Sequence, residues 1–145
     1  MKTLRLFPLE LGRLLRSRLT WLVMLLTVLG PVVGLYLYQP AVSTMNSLYL
    51  ANPAIAGGIA GGILFGLLAI LELDRACRSR VDVLVDAVVS PLTAALTRLS
   101  ALLTTAVLTT TLTMLVWLPI SAGLIGAVFD MVDYVLAYLL FMGLA

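Results

Sequence analysis

Three long apolar runs, separated by short polar stretches, dominate the pattern of the chain. They cover residues 19–38, 54–71 and 99–118 and contain no Asp, Glu, Lys or Arg. A hydrocarbon core about 30 Å thick needs roughly 20 apolar helical residues per crossing, because lipid offers no partner for a free backbone amide. Each run therefore predicts a transmembrane helix, and we number them as the first, second and third predicted spans.

A fourth apolar run, residues 134–145, is too short to cross a membrane. Its 12 residues would form a helix about 18 Å long at roughly 1.5 Å per residue. We interpret it as the start of a fourth span in a fragment of a longer protein; the alternative is a tilted, re-entrant or subunit-completed helix. Starting this helix near Ile120 would instead place Asp130 and Asp133 at membrane depth, which is costly for unpaired carboxylates.

Composition agrees with an all-α integral membrane fold. Hydrophobic residues make up 62% of the 145 positions and charged residues only 11%, whereas soluble domains are roughly 45–50% apolar. This composition excludes a water-soluble globule. We therefore interpret residues 1–145 as a single transmembrane domain.

The basic residues lie in two places and predict the orientation of the chain. Five precede the first span and four follow the second: Lys2, Arg5, Arg13, Arg16 and Arg18, then Arg75, Arg78, Arg80 and Arg98. By the positive-inside rule, the N-terminus and residues 72–98 are expected in the cytoplasm, with the chain in the prokaryotic cytoplasmic membrane. The net charge of +2 is therefore interpreted as a topology signal and not as a nucleic-acid-binding surface. Trp21 is expected at the inner interface, and Trp117 and Tyr134 at the outer one.

The N-terminal flank, residues 1–18, predicts an amphipathic helix in the membrane surface. Pro8 suits the start of such a helix. Beyond it, leucines and arginines separate onto two sides: Leu11, Leu14 and Leu15 on one, Arg13 and Arg16 on the other. We interpret the segment as an elbow helix that anchors the first span. A basic flank that only sets topology is the alternative.

The polar region between the second and third spans, residues 72–98, begins with a charge cluster formed by Glu72, Asp74, Arg75 and Arg78. The next residues predict a short amphipathic helix, with Val81, Leu84, Val85 and Val88 on one face and Ser79, Asp82 and Asp86 on the opposite face. The same residues also alternate between apolar and polar, as in a β-strand. The flanking helices and the Ser90-Pro91 pair favour a helix that ends at a turn.

The second span carries pairs of small residues one helical turn apart, at Gly57, Gly58, Gly61 and Gly62. Such spacing lets another backbone approach closely, so these glycines predict a helix-packing surface for the same chain or for a second copy. In the first span, Gly30 and Pro31 predict a kink.

The third span is rich in hydroxyl side chains in two rows. One row is Thr97, Ser100, Thr104 and Thr111, and the other is Thr105, Thr109 and Thr113. Hydroxyls in a membrane generally bond to their own helix or to a neighbouring one. We interpret them as packing residues, with the first row as the candidate lining of a polar transport path.

Three features together resemble the N-terminal half of a type-2 ATP-binding-cassette (ABC) transporter permease. They are the amphipathic ELGRLLRSRL before the first span, the Pro-kinked first span, and LELDRACRSRVDVLVDAVVSPLTAALTRLSALL between the second and third spans. The family pattern of charge cluster, short helix, Ser-Pro turn and basic residue falls on residues 72–75, Ser79 to Val88, Ser90-Pro91 and Arg98. A haem-exporter-like branch of the family has a similar Leu-Asp-Arg sequence at the start of this region.

The resemblance implies a permease subunit that couples ATP hydrolysis on a separate cytoplasmic ABC ATPase to export of an unidentified substrate. The expected partners are a second permease copy or paralogue and membrane lipid. No nucleic-acid partner is expected. The resemblance also implies a coupling helix that docks on the ATPase through Ser79, Arg80, Val81, Asp82, Leu84, Val85, Asp86 and Val88. The sequence has no Walker motif, no His and no His/Cys/Glu metal pattern, so catalytic residues and cofactors are not expected.

Other classes of membrane protein remain as alternatives. A small non-transporting scaffold or regulatory subunit would explain the short length without truncation. An intramembrane enzyme would need converging polar catalytic groups, and the spans offer only hydroxyls. A channel would need charges within an apolar run to build ion selectivity, and the runs contain none.

Overall fold

The computed structural model describes residues 3–37, 46–78, 90–126 and 129–143, and within these ranges the chain is helical, without strands. Five helices follow in order: α1 (Thr3–Arg16), α2 (Arg18–Leu37), α3 (Asn46–Arg78), α4 (Pro91–Ile125) and α5 (Met131–Gly143). Their order along the chain agrees with the pattern of apolar runs.

Three of these helices are long and apolar enough to cross a membrane. The qualifying stretches are Arg18–Tyr36 in α2, Ala51–Arg75 in α3 and Leu92–Leu124 in α4. Helix α5 is a shorter apolar helix. The part of the chain that the structure describes is therefore all-helical, with three candidate membrane spans and one shorter apolar helix, which is the pattern of a membrane protein.

Two of the long helices extend well past the predicted spans at the end that carries most of the charges. Helix α3 continues from its apolar run through Glu72 and Asp74 to Arg78. Glu and Arg are good helix formers, so the helix extends beyond the apolar run. Helix α4 begins at Pro91, eight residues before the predicted span that starts at 99.

The start of α4 is fixed by a local cap. The Ser90 side chain accepts a hydrogen bond from the backbone N–H of Thr93 at 3.4 Å, and the two side-chain oxygens lie 2.6 Å apart. A serine N-cap followed by proline in the first turn is a favourable way to begin a helix. The Ser90-Pro91 pair therefore begins α4 directly.

Helix α3 is the centre of the bundle and packs against α2, α4 and α5. Its contact with α2 is close because Gly30 and Gly34 of α2 have no side chain. A Cβ on Gly30 would lie 3.1 Å from the Cβ of Ala60, and one on Gly34 would lie 2.9 Å from the Cα of Pro53. The small-residue spacing Gly30-x-x-x-Gly34 is typical of tightly packed membrane helices.

A second packing centre joins α3, α4 and α5 through Ala54, Trp117, Tyr134, Tyr138 and Met142. The structure buries both Trp117 and Tyr134 between helices, while their expected depth at the outer membrane interface stays a prediction. The Trp117 indole N–H donates to the carbonyl of Val28, half-way along α2, at 2.8 Å. The Tyr134 hydroxyl donates to the carbonyl of Met114 at 2.7 Å. Inside lipid an unsatisfied polar group is costly, so each side chain binds a backbone carbonyl.

Candidate functional site: a charged junction of three helices

The charged side chains of α1, α3 and α4 meet at one end of the bundle, here called the charged end. Arg13 of α1 is central. Its Nε atom lies 2.9 Å from Glu10 Oε2 on the same helix, and its Nη2 atom lies 3.1 Å from Glu72 Oε2 on α3. One guanidinium therefore contacts carboxylates of two different helices.

The contacts continue on both sides of Arg13. Glu10 Oε1 lies 3.7 Å from Arg98 Nε on α4, and Glu72 Oε1 lies 3.7 Å from Arg75 Nη1, one turn along α3. These five residues form what we call the charged junction: Glu10, Arg13, Glu72, Arg75 and Arg98. Three arginines and two glutamates give the junction a formal charge of +1.

The junction is partly removed from solvent. Only 9% of the Glu72 side chain is exposed, and its neighbourhood is lined by Leu14, Ala69, Leu73 and Leu102 together with Glu10, Arg13 and Arg98. Opposite charges that are removed from water attract each other more strongly than solvent-exposed charges do. A buried carboxylate is also tolerated only when it is paired, so Glu72 depends on Arg13 and Arg75.

The predicted charge cluster contains two of the five junction residues. Glu72 and Arg75 belong to the predicted charge cluster, Asp74 lies exposed between them, and Arg78 is the last residue of α3. The sequence pattern did not link Glu72 and Arg75 to Glu10, Arg13 and Arg98. The available signals were the Glu10-x-x-Arg13 spacing and the positive-inside rule, which places the ends of these three helices at one membrane surface.

The predicted coupling residues, Ser79, Arg80, Val81, Asp82, Leu84, Val85, Asp86 and Val88, lie outside the described residues. The chain enters this segment from Arg78 at the end of α3 and leaves it at Ser90, the cap of α4. The two described residues that flank segment 79–89 are therefore the end of α3 and the cap of α4, the two helices that the junction connects to α1.

The predicted glycine surface is in contact with helices of the same chain. A Cβ on Gly57 would lie 3.1 Å from Pro31 Cγ and 3.3 Å from Met142 Sδ, and one on Gly61 would lie 3.2 Å from Thr27 Cγ2. Gly58 packs against the backbone of Phe141. Gly62 is half-buried beside them. These glycines thus let both α2 and α5 approach α3.

Each hydroxyl of the candidate path-lining row donates to a carbonyl of its own helix. The donor–acceptor distances are 2.7 Å for Thr97, 2.8 Å for Ser100, 2.8 Å for Thr104 and 2.9 Å for Thr111. Thr111 lies on the exposed side of α4. The second row, Thr105, Thr109 and Thr113, is fully buried, so this row faces the interior of the bundle.

Comparison of the chain with protein-family models, with curated proteins and with solved structures gives no match in any of the three. Within the part of the chain that the structure describes, no group of three His, Cys, Asp or Glu side chains is arranged to hold a metal ion. What the charged junction does provide is direct contact between charged side chains of α1 and those of α3 and α4.

Proposed function

We propose that the chain is the membrane-spanning permease subunit of an ABC transporter and couples ATP hydrolysis on a separate ATPase subunit to export of an unidentified substrate. The observation that carries the proposal is the charged junction. Glu72 of α3 and Arg98 of α4 are both paired to α1, and these are the two helices from which segment 79–89 extends. A force applied to that segment would reach all three helices together.

In this proposal, segment 79–89 is a coupling helix that docks on the ATPase in the cytoplasm. Movement of the ATPase on nucleotide binding displaces the charged ends of α3 and α4. Because Arg13 contacts Glu72 and Glu10 contacts Arg98, α1 moves with them. The bundle then changes its tilt as one body, which is the kind of rigid-body motion by which transporters alternate access.

Helix α1 has the role of the elbow in this scheme. It is amphipathic and meets α2 at Ser17, whose backbone N–H donates to the carbonyl of Leu14 at 3.0 Å. The indole N–H of Trp21 donates back to the carbonyl of Leu15 at 2.7 Å. These two bonds stiffen the corner, so α1 transmits movement to the first span instead of bending away from it.

A second permease copy or paralogue completes the transport path in the proposal. Large apolar side chains along the outer faces of the three long helices are exposed, among them Leu25, Leu29, Ile63, Ile70, Leu103 and Leu115. Such faces contact either lipid or another subunit. Thr97, Ser100, Thr104 and Thr111 are the candidate residues for lining a path between two subunits.

The alternative is a non-transporting scaffold or regulatory subunit. One observation favours it: the hydroxyl donors of the candidate path-lining row are all used within α4, which leaves only their lone pairs to receive a polar substrate. A scaffold also needs a rigid bundle, and the glycine contacts of α3 provide one.

The experiment that tests the proposal is purification of the tagged chain from its native membrane in mild detergent, with vanadate-sensitive ATP hydrolysis as the measurement. We expect a nucleotide-binding subunit with Walker motifs to copurify. Leu84→Asp should lower the copurified ATPase activity at least about tenfold, since a carboxylate on the apolar face of the docking helix costs at least about 1.4 kcal/mol.

The matched control is Val83→Asp, which places the same carboxylate on the opposite face of the same predicted helix, outside the predicted docking residues, and should leave ATPase recovery within about twofold. ATPase activity absent from the wild-type preparation, or unchanged by Leu84→Asp, would refute the coupling role. A stable complex with proteins lacking nucleotide-binding motifs would instead support the scaffold.

A further inference from the structure

A basic groove lies beside the charged junction, between α1, the residue that links α1 to α2, and the end of α3. It has a volume of about 480 Å³ and is lined by Pro8, Leu9, Gly12, Arg13, Arg16, Ser17 and Arg75. This volume is within the range of about 300–1,000 Å³ typical of small-molecule sites. The lining contains three guanidinium groups and no carboxylate, so the groove is suited to an anion.

The arginines of the groove are unequally committed to the junction. Arg13 contacts both Glu10 and Glu72, and Arg75 makes only a 3.7 Å contact with Glu72 while 66% of its side chain is exposed. Arg16 is exposed, and among the described residues no carboxylate pairs with it. Arg16 and Arg75 therefore have guanidinium donors available for a ligand in the groove.

The positive potential of the groove comes from its guanidinium groups. Helix α1 ends at Arg16 and helix α2 begins at Arg18, so the negative end of one helix dipole and the positive end of the other meet at Ser17 and largely offset each other. Gly12 leaves the floor of the groove open, since a Cβ at this position would meet nothing within 4 Å.

The position of the groove indicates where the anion comes from. Arg18 is both the first residue of α2 and the first residue of its membrane-spanning stretch, and Trp21, one turn further, is 57% exposed. Exposed tryptophans at the start of a span lie at the level of lipid headgroups. Leu9 on the groove wall is 69% exposed, which is unfavourable in water and favourable beside acyl chains.

We infer that this groove binds the headgroup phosphate of an anionic phospholipid from the leaflet at the charged end. The phosphate lies between Arg16 and Arg75 near the start of α2, and the glycerol and upper acyl chains lie along Pro8 and Leu9. The bound lipid holds α1 in the membrane surface next to α2 and α3. This inference depends on membrane insertion and is independent of the transport function proposed above.

The test uses the full chain purified in a neutral detergent, with lipid adducts counted by native mass spectrometry and affinity measured by titration. The probes are phosphatidylglycerol, phosphatidylcholine and soluble glycerol 3-phosphate. We expect phosphatidylglycerol to bind at least about tenfold more tightly than the other two. Arg16→Gln should weaken its binding about tenfold, because the substitution removes charge-assisted hydrogen bonds to the phosphate and not only a general surface charge.

Two further variants make the result specific. Arg18→Gln changes the net charge equally but lies outside the groove lining, so it should alter phosphatidylglycerol binding less than twofold. Gly12→Leu keeps every charge and fills the groove, so it should weaken binding at least about tenfold while the helical circular dichroism stays unchanged. Equal losses for Arg16→Gln and Arg18→Gln would overturn the site as general surface attraction. Equal affinity for glycerol 3-phosphate would overturn the lipid and indicate a soluble phosphate ligand.

Discussion

The charged junction depends on single side chains that work as pairs. Glu72 is largely buried among Leu14, Ala69, Leu73 and Leu102, and its nearest cation belongs to another helix, at 3.1 Å. Removing Arg13 leaves this carboxylate with only the longer contact to Arg75. The loss of one partner is therefore more costly than the loss of both.

This asymmetry gives a prediction for Arg13 and Glu72. We expect Arg13→Gln to lower the free energy of unfolding by about 1–3 kcal/mol, between the effect of an exposed pair and that of a fully buried one. The double variant Arg13→Gln with Glu72→Gln should recover about 1 kcal/mol of this loss. Unfolding of the purified chain by titration with a denaturing detergent measures both values.

The control for this cycle is Arg18→Gln, an exposed arginine at the start of the neighbouring helix, which should change the free energy of unfolding by less than about 0.5 kcal/mol. Strictly additive effects of Arg13→Gln and Glu72→Gln would mean that the two side chains do not interact in the folded protein.

At the scale of elements, the bundle is held together by helices that approach closely along α3. Gly30 and Gly34 of α2 face Ala60 and Pro53 of α3, and Gly57 and Gly58 of α3 face Met142 and Phe141 of α5. In lipid, apolar side chains gain little from associating with each other instead of with lipid tails. Close backbone packing and hydrogen bonds therefore supply most of the attraction between helices.

The prediction at this scale concerns Gly34. We expect Gly34→Ala to lower the free energy of unfolding by about 1–3 kcal/mol, because its methyl group would lie 2.8 Å from the carbonyl carbon of Asn52 and would force α2 and α3 apart. The matched control is Gly66→Ala, since a Cβ on Gly66 meets nothing within 4 Å. That variant should be neutral or slightly stabilising, as alanine favours helix more than glycine does. Equal effects of the two substitutions would contradict the close packing of α2 on α3.

At the scale of the whole molecule, charge is distributed unequally between the two ends of the bundle. One end carries the junction and the basic groove, and the other carries the connection between α4 and α5, where Asp130 and Asp133 are exposed. The proposed topology places the charged end in the cytoplasm, where the ATPase would meet segment 79–89. This orientation follows from the distribution of Lys and Arg and is open to direct measurement.

The measurement is labelling with a membrane-impermeant maleimide after replacing the single native cysteine by Cys77→Ser. We expect Arg78→Cys to react in inside-out vesicles and not in intact cells. Asp130→Cys at the opposite end should show the reverse pattern and serves as the control. Reaction of Arg78→Cys from outside intact cells would invert the topology and remove the proposed contact with a cytoplasmic ATPase.

The sequence by itself determined the class of fold and the number of long apolar helices. Residues 19–38, 54–71 and 99–118 are apolar and uncharged, and the requirement for internal backbone hydrogen bonds in lipid leaves helix as the only conformation for such runs. It also indicated close packing around Gly57, Gly58 and Gly61, since small residues one turn apart have few other uses in a membrane helix.

Only the tertiary structure decided which residues meet. It brought Glu10 and Arg13 to Glu72 and Arg98, although these pairs are far apart in the chain. It also showed that Trp117 is buried between helices, where a carbonyl of α2 accepts its N–H. The physical reason is that periodicity fixes the faces of a helix, whereas the neighbour on each face depends on how all the helices pack together.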